Sequence, residues 1–188
     1  LIKVPLIMRI PLLSQSRCVN GLVELFDIMP TVAELAGIEI MHQHFAESLV
    51  SCMCGNTESH RKFVFTEGGY DPHEKHIFEG RWEEQGLTRT PDHVYYPKGS
   101  MQQQIPLSVS RAVSIRSQQY KLIYRNYDQC ELYDLAEDPD ELQNLYGNFN
   151  YQEIEKNLMK ELLEWFLRTS DVSPFGEDNR EIPGRFSS

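Results

Sequence analysis

A chain of 188 residues is long enough for one well-cored domain, or for part of a larger one. Its 40% hydrophobic and 24% charged residues are the proportions of an ordinary globular protein. The formal net charge of −10 excludes a phosphate-backbone binder, so no nucleic-acid partner is expected, and no apolar run is long enough for a membrane-spanning helix.

The chain opens on Leu1-Ile2-Lys3, and the run from Val4 to Ile10 is rich in apolar residues. That run predicts a strand buried on both faces. No basic flank precedes it and no small-residue cleavage site follows, so it is not read as a signal peptide. A buried strand needs neighbours on both sides. The chain is therefore expected to begin in mid-domain and to self-associate through this open edge.

Next, Leu22, Val23, Leu25, Phe26, Met29, Val32, Ala33 and Ala36 predict a helix with a broad apolar face. Asp27 is its expected N-cap, Pro30 falls in its first turn, and Gly37 stands where a C-terminal glycine belongs. Lys62 to Thr66 reads as a strand, ended by Gly68-Gly69. From Tyr70 to Ile105 there is little periodicity, and a stretch of that length predicts a functional loop or an insertion. Ala112–Arg116 and Tyr120–Tyr124, joined by Ser117-Gln118-Gln119, predict a hairpin, and Glu131–Leu135 a third strand.

Asp138-Pro139-Asp140-Glu141 has the spacing of a capping box with proline at the first helical position. Asn150 and Glu153 repeat the box before a longer helix that aligns Ile154, Leu158, Leu162 and Trp165 on one face. From Ser173 the chain is polar and reads as a tail. Cys18, Cys52, Cys54 and Cys130 lack metal-site spacing, and neither His42-x-His44 nor His73-x-x-His76 has a third ligand nearby in the sequence. No metal ligand is assigned.

In this order the words resemble the sulfatase family of the alkaline-phosphatase-like superfamily. They are Val4-Pro5-Leu6-Ile7; Asp27-Ile28-Met29-Pro30-Thr31 with Leu35-Ala36-Gly37; Glu47-Ser48-Leu49, with Ala46 where the family has glycine; Val64-Phe65-Thr66-Glu67; and Tyr120-Lys121-Leu122-Ile123. The last are Glu131-Leu132-Tyr133-Asp134-Leu135 and Asp138-Pro139-Asp140-Glu141. The resemblance covers the carboxy-terminal portion of such enzymes. It implies a parent protein that hydrolyses sulfate esters with a formylglycine nucleophile and a divalent cation, calcium by preference, held on oxygen ligands.

Phosphate or phosphonate ester hydrolysis, or a non-catalytic binding module, are the alternatives. No cysteine or serine here stands in a C/S-x-P-x-R motif, so no catalytic residue and no bound cofactor is assigned to this chain, which is expected to be inactive alone. The expected partner of the parent is a sulfated small molecule or glycan. Glu67, His73, His76, Arg81, Trp82 and Lys98 are the candidates for lining its cleft, because they follow a strand end and combine cations with an aromatic ring.

The expected fold is α/β: the end of a large mixed sheet with a flanking helix, then a small antiparallel sheet packed by a C-terminal helix. Residues 1–68 would close the sulfatase-type domain and 69–105 form the long loop. Residues 106–170 would form the small sheet and helix, and 171–188 the tail.

Overall fold

The structure, a computed structural model, describes residues 3–11, 16–74 and 91–170. Its residues cluster into two units. One comprises Leu1–Val64, Arg116–Gln118 and Lys156–Ser188, and the other Phe65–Ile115 and Gln119–Glu155.

In the first unit a 3-10 turn, Leu25–Asp27, leads into helix α1, Ile28–Ala36. Gly37 closes α1 in the left-handed conformation, as its position in the sequence requires. A short helix α2, Val50–Met53, packs against α1 and contributes the buried Cys52, next to buried Leu49. The expected strand over Val4 to Ile10 is not formed: residues 3–10 are irregular and Ile7 is 93% exposed. A strand exists only where another backbone completes its ladder, and no strand of the described residues does so here.

Four strands form one sheet in the order β1-β2-β3-β4: Val64–Gly68, Ala112–Arg116, Tyr120–Arg125 and Glu131–Asp134. β1 lies at one edge of this sheet and β4 at the other. β3 and β4 are antiparallel, with Leu122 opposite Leu132 and Lys121 opposite Tyr133. Ile115, Leu122 and Leu132 are fully buried, so the directly facing Leu122–Leu132 pair lies at the centre of the unit's apolar core.

Helix α3, Tyr96–Gln104, falls inside the stretch read as aperiodic loop. Pro97 is accommodated in its first turn, where the missing N–H is no loss. The C-terminal helix α4, Gln152–Thr169, is present where the sequence placed it, with Leu158 and Leu162 buried and Trp165 half-buried. Its lead-in starts earlier than expected. Asn148, not Asn150, caps a 3-10 turn, Phe149–Tyr151, by accepting the Asn150 N–H at 3.0 Å.

The capping box at Asp138 is not a helix start. The segment is a turn in which the Asp138 carboxylate accepts the Gln143 N–H at 2.7 Å. Glu141 sits at φ 57°, and its carboxylate is paired with Lys121 of β3. A helical Glu141 would need a different backbone conformation from the one found here.

Candidate functional site

β1 ends at the Gly68-Gly69 turn, and three of the expected cleft residues are among the described ones. Glu67 is exposed at the end of β1, His73 is exposed five residues beyond Gly68, and Lys98 is exposed in the first turn of α3. His76, Arg81 and Trp82 lie outside the described residues.

The turn is tightly specified. Gly69 has φ 86°, and a Cβ there would stand 2.8 Å from the Val109 carbonyl oxygen and closer still to that of Ser110. Only glycine fits both the conformation and the approach. The Tyr70 N–H then donates to the Val109 carbonyl at 2.7 Å, tying the start of the loop to the segment before β2. Beyond it, Asp71 accepts both the His73 N–H at 2.9 Å and the ring Nδ1 at 2.8 Å. Those two hydrogen bonds hold the Asp71 carboxyl below its ordinary range. Arg111 faces Glu74 at 3.5 Å. These contacts fix the backbone around Gly69 and leave the Glu67 and His73 side chains facing solvent.

A dense polar cluster gathers around Asp27, and no sequence spacing signals it. Asp27, read as an N-cap, is 0% exposed and does not cap α1 with its side chain. Its carboxylate accepts the Glu47 N–H at 2.8 Å and the Glu24 N–H at 3.0 Å. It also accepts Nε of Arg61 at 2.8 Å, and a second guanidinium nitrogen of Arg61 completes a two-pronged pair. His60 Nε2 lies 3.1 Å from the same carboxylate, which can only accept, so the imidazole donates.

Arg61 is itself surrounded by Glu47 at 3.0 Å, Glu24 at 3.5 Å and the Phe45 carbonyl at 3.0 Å. Burial works to raise the Asp27 carboxyl, but the hydrogen bonds from Arg61, Glu47 and Glu24 and the charge of Arg61 overcome it and hold the group below its ordinary value. Every lone-pair direction is occupied. The cluster is a clasp that ties residues 24–27, 45–47 and 60–61 together, and it leaves no position for a substrate atom.

Of the two histidine pairs, His42 and His44 are both described, whereas His76 lies outside the described residues. The rings of His42 and His44 stand edge to face at 6.2 Å. Among the described residues no group of three His, Cys, Asp or Glu is placed to hold a metal ion. On β3 and β4, Arg125 pairs with Glu131 at 2.8 Å, and Tyr133 donates to the other Glu131 oxygen at 2.7 Å. Burial and that carboxylate push the Tyr133 hydroxyl up to about 12. It is a structural donor, not an acid for chemistry at neutral pH.

A family profile described as N-sulphoglucosamine sulphohydrolase, C-terminal, matches residues 83–167. The chain is 39% identical over 69 residues to an N-acetylglucosamine-6-O-sulfatase of Bacteroides thetaiotaomicron, an overlap of 36% of this chain and 12% of the relative. A solved structure in complex with its substrate D-glucosamine-2-N,6-O-disulfate superposes with a TM-score of 0.52 at 25% identity, over 79% of this chain and 24% of that one. A phosphonate monoester hydrolase of Agrobacterium radiobacter superposes with a TM-score of 0.60 at 20% identity, over 89% of this chain and 30% of that one, and so shares the fold.

The chain thus spans less than a third of the length of each of these proteins. The words from Val4 to Glu141, the four-stranded sheet followed by α4, and these matches agree: the chain is similar to the carboxy-terminal portion of sulfatases.

Proposed function

We propose that the protein carrying this chain hydrolyses sulfate esters on a glucosamine-containing sugar. In this reading the chain contributes scaffold and cleft rim, and no reacting group. The observation that carries it is the match of residues 83–167, which span β2 to β4 and most of α4, to the carboxy-terminal part of N-sulphoglucosamine sulphohydrolase. The 39% identity to an N-acetylglucosamine-6-O-sulfatase supports the same substrate class. The proposed rim residues are Glu67, near the end of β1, and His73, His76, Arg81, Trp82 and Lys98, which come after it in the sequence; they offer cations for an anionic group and a ring for a sugar face.

A calcium ion and a formylglycine belong to this proposal as groups of the parent enzyme. The described residues of this chain do not fit either one: they bring together no set of three metal-ligating side chains, and no cysteine precedes an x-Pro-x-Arg sequence. No chemical step is therefore derived through them here.

The test is sulfate release from N-acetylglucosamine-6-O-sulfate by the whole protein, with Arg81→Ala and Trp82→Ala beside wild type. A rim role lowers kcat/KM of both variants on the sugar and spares a small aryl sulfate, because remote binding energy is lost while the reacting centre is intact. Equal activity of all three proteins on both substrates would remove the rim assignment. Faster turnover of an aryl phosphonate monoester than of any sulfate would favour the second reading, phosphonate ester hydrolysis, which the shared fold with the Agrobacterium enzyme supports.

A further inference from the structure

β4 ends the four-stranded sheet, and a sheet edge carries N–H and C=O groups that can pair with another chain. In an antiparallel ladder successive residues turn these groups alternately toward the neighbouring strand and away from it. Leu132, opposite Leu122, turns both of its groups away from β3. Neither is left open. The Leu132 N–H donates to Asn144 Oδ1 at 3.0 Å, and the Leu132 carbonyl accepts the Leu145 N–H at 2.8 Å.

The cover extends to both sides of Leu132. Asn144 Nδ2 donates to the Cys130 carbonyl at 3.0 Å, and the Asp134 carbonyl accepts the Asp138 N–H at 2.8 Å. One carboxamide thus accepts and donates along the edge of β4, as the peptide groups of a further strand would. Other contacts hold the covering segment in place. Lys121 pairs with Glu141, the Gln143 N–H donates to Asp138, the Gly147 N–H donates to Glu155 at 3.0 Å, and Leu145 is buried. Asn144 itself is exposed, so what marks it out is its bonds to the edge and not its packing.

We propose that residues 138–145 are a strap that keeps β4 from pairing with a second copy of this chain, and that Asn144 is its latch. The geometry of the edge identifies the occupant that the strap excludes. Two antiparallel β4 strands related by a two-fold axis at Leu132 set that residue opposite itself, each N–H donating to the other carbonyl. Cys130 then faces Asp134 and Glu131 faces Tyr133, so no like charges stand directly opposite each other. The edge is self-complementary, and the strap occupies the groups that a second copy would use.

The test compares Asn144→Ala and Asn144→Asp with wild type in the full 188-residue chain. Amide hydrogen exchange is read residue by residue by NMR, and association by light scattering. Asn144→Ala removes the acceptor of the Leu132 N–H, whereas Asn144→Asp keeps it and loses the donor to Cys130. In dilute solution the Leu132 amide of Asn144→Ala is expected to exchange about tenfold faster than in wild type, with Asn144→Asp between them. The Tyr133 amide, which faces β3, keeps its rate and shows that the sheet is intact. As Asn144→Ala is concentrated, protection of Leu132 returns together with a dimer, and wild type shows no such change at Leu132.

An unchanged Leu132 rate in Asn144→Ala overturns the proposal, as does a faster rate with no dimer at any concentration. Loss of Tyr133 protection in both variants also overturns it, because Asn144 would then be needed for the sheet itself and not as a latch on its edge.

Discussion

Asp27 ties three segments of the first unit together. It is fully buried, and removing it would leave Arg61 inside the protein with its main counter-charge gone. Breaking one side of a buried pair costs about 3–5 kcal/mol, so Asp27→Ala is expected to lower the urea unfolding free energy at pH 7 by about that amount. Arg61→Lys keeps the charge but not the two-pronged fork, and should recover only part of the loss. The pH dependence follows from the sign of the shift. The folded-state value lies below the ordinary 3.8, so this contribution is fully present above that value and lost as pH falls through the folded one. Asp27→Asn should flatten the fall in stability below about pH 4; an unchanged acid limb would deny the clasp its role. Gly69 is the other demanding position. Gly69→Ala meets the Val109 and Ser110 carbonyls at a positive φ and should cost more than about 1 kcal/mol, read as a lower denaturation midpoint.

Among the elements, α4 has the simplest packing. Leu158 and Leu162 are buried one turn apart, and Leu162→Ala should cost about 2–5 kcal/mol. An unchanged melting temperature would show α4 to be peripheral. This helix, the β2–β3 hairpin and α1 with Gly37 were legible in the sequence because each carries its own period and its own stop signal. Helix α3 was not: Pro97, Gly99 and a run of glutamines give it no apolar stripe to count. The clasp was equally hidden, because Asp27 draws on Glu47 and Arg61, which lie 20 and 34 residues away, and spacing carries no signal over that range. At Asp138 the local pattern is that of a helix start, but Lys121 holds Glu141 at φ 57° in a turn, a tertiary contact overriding a local motif. The apolar run from Val4 to Ile10 has strand chemistry and finds no ladder among the described residues.

At the scale of the whole molecule, the proposal is that this chain, similar to the carboxy-terminal portion of sulfatases, contributes no reacting group of its own. The most direct test of that account is to assay the 188-residue chain and the whole protein side by side on 4-nitrophenyl sulfate with calcium present. The whole protein is expected to turn the ester over while the chain alone stays at background, because binding without a nucleophile or metal provides little rate. Calcium-dependent turnover by the chain alone, or a whole protein that cleaves phosphonate monoesters and no sulfate ester, would contradict it.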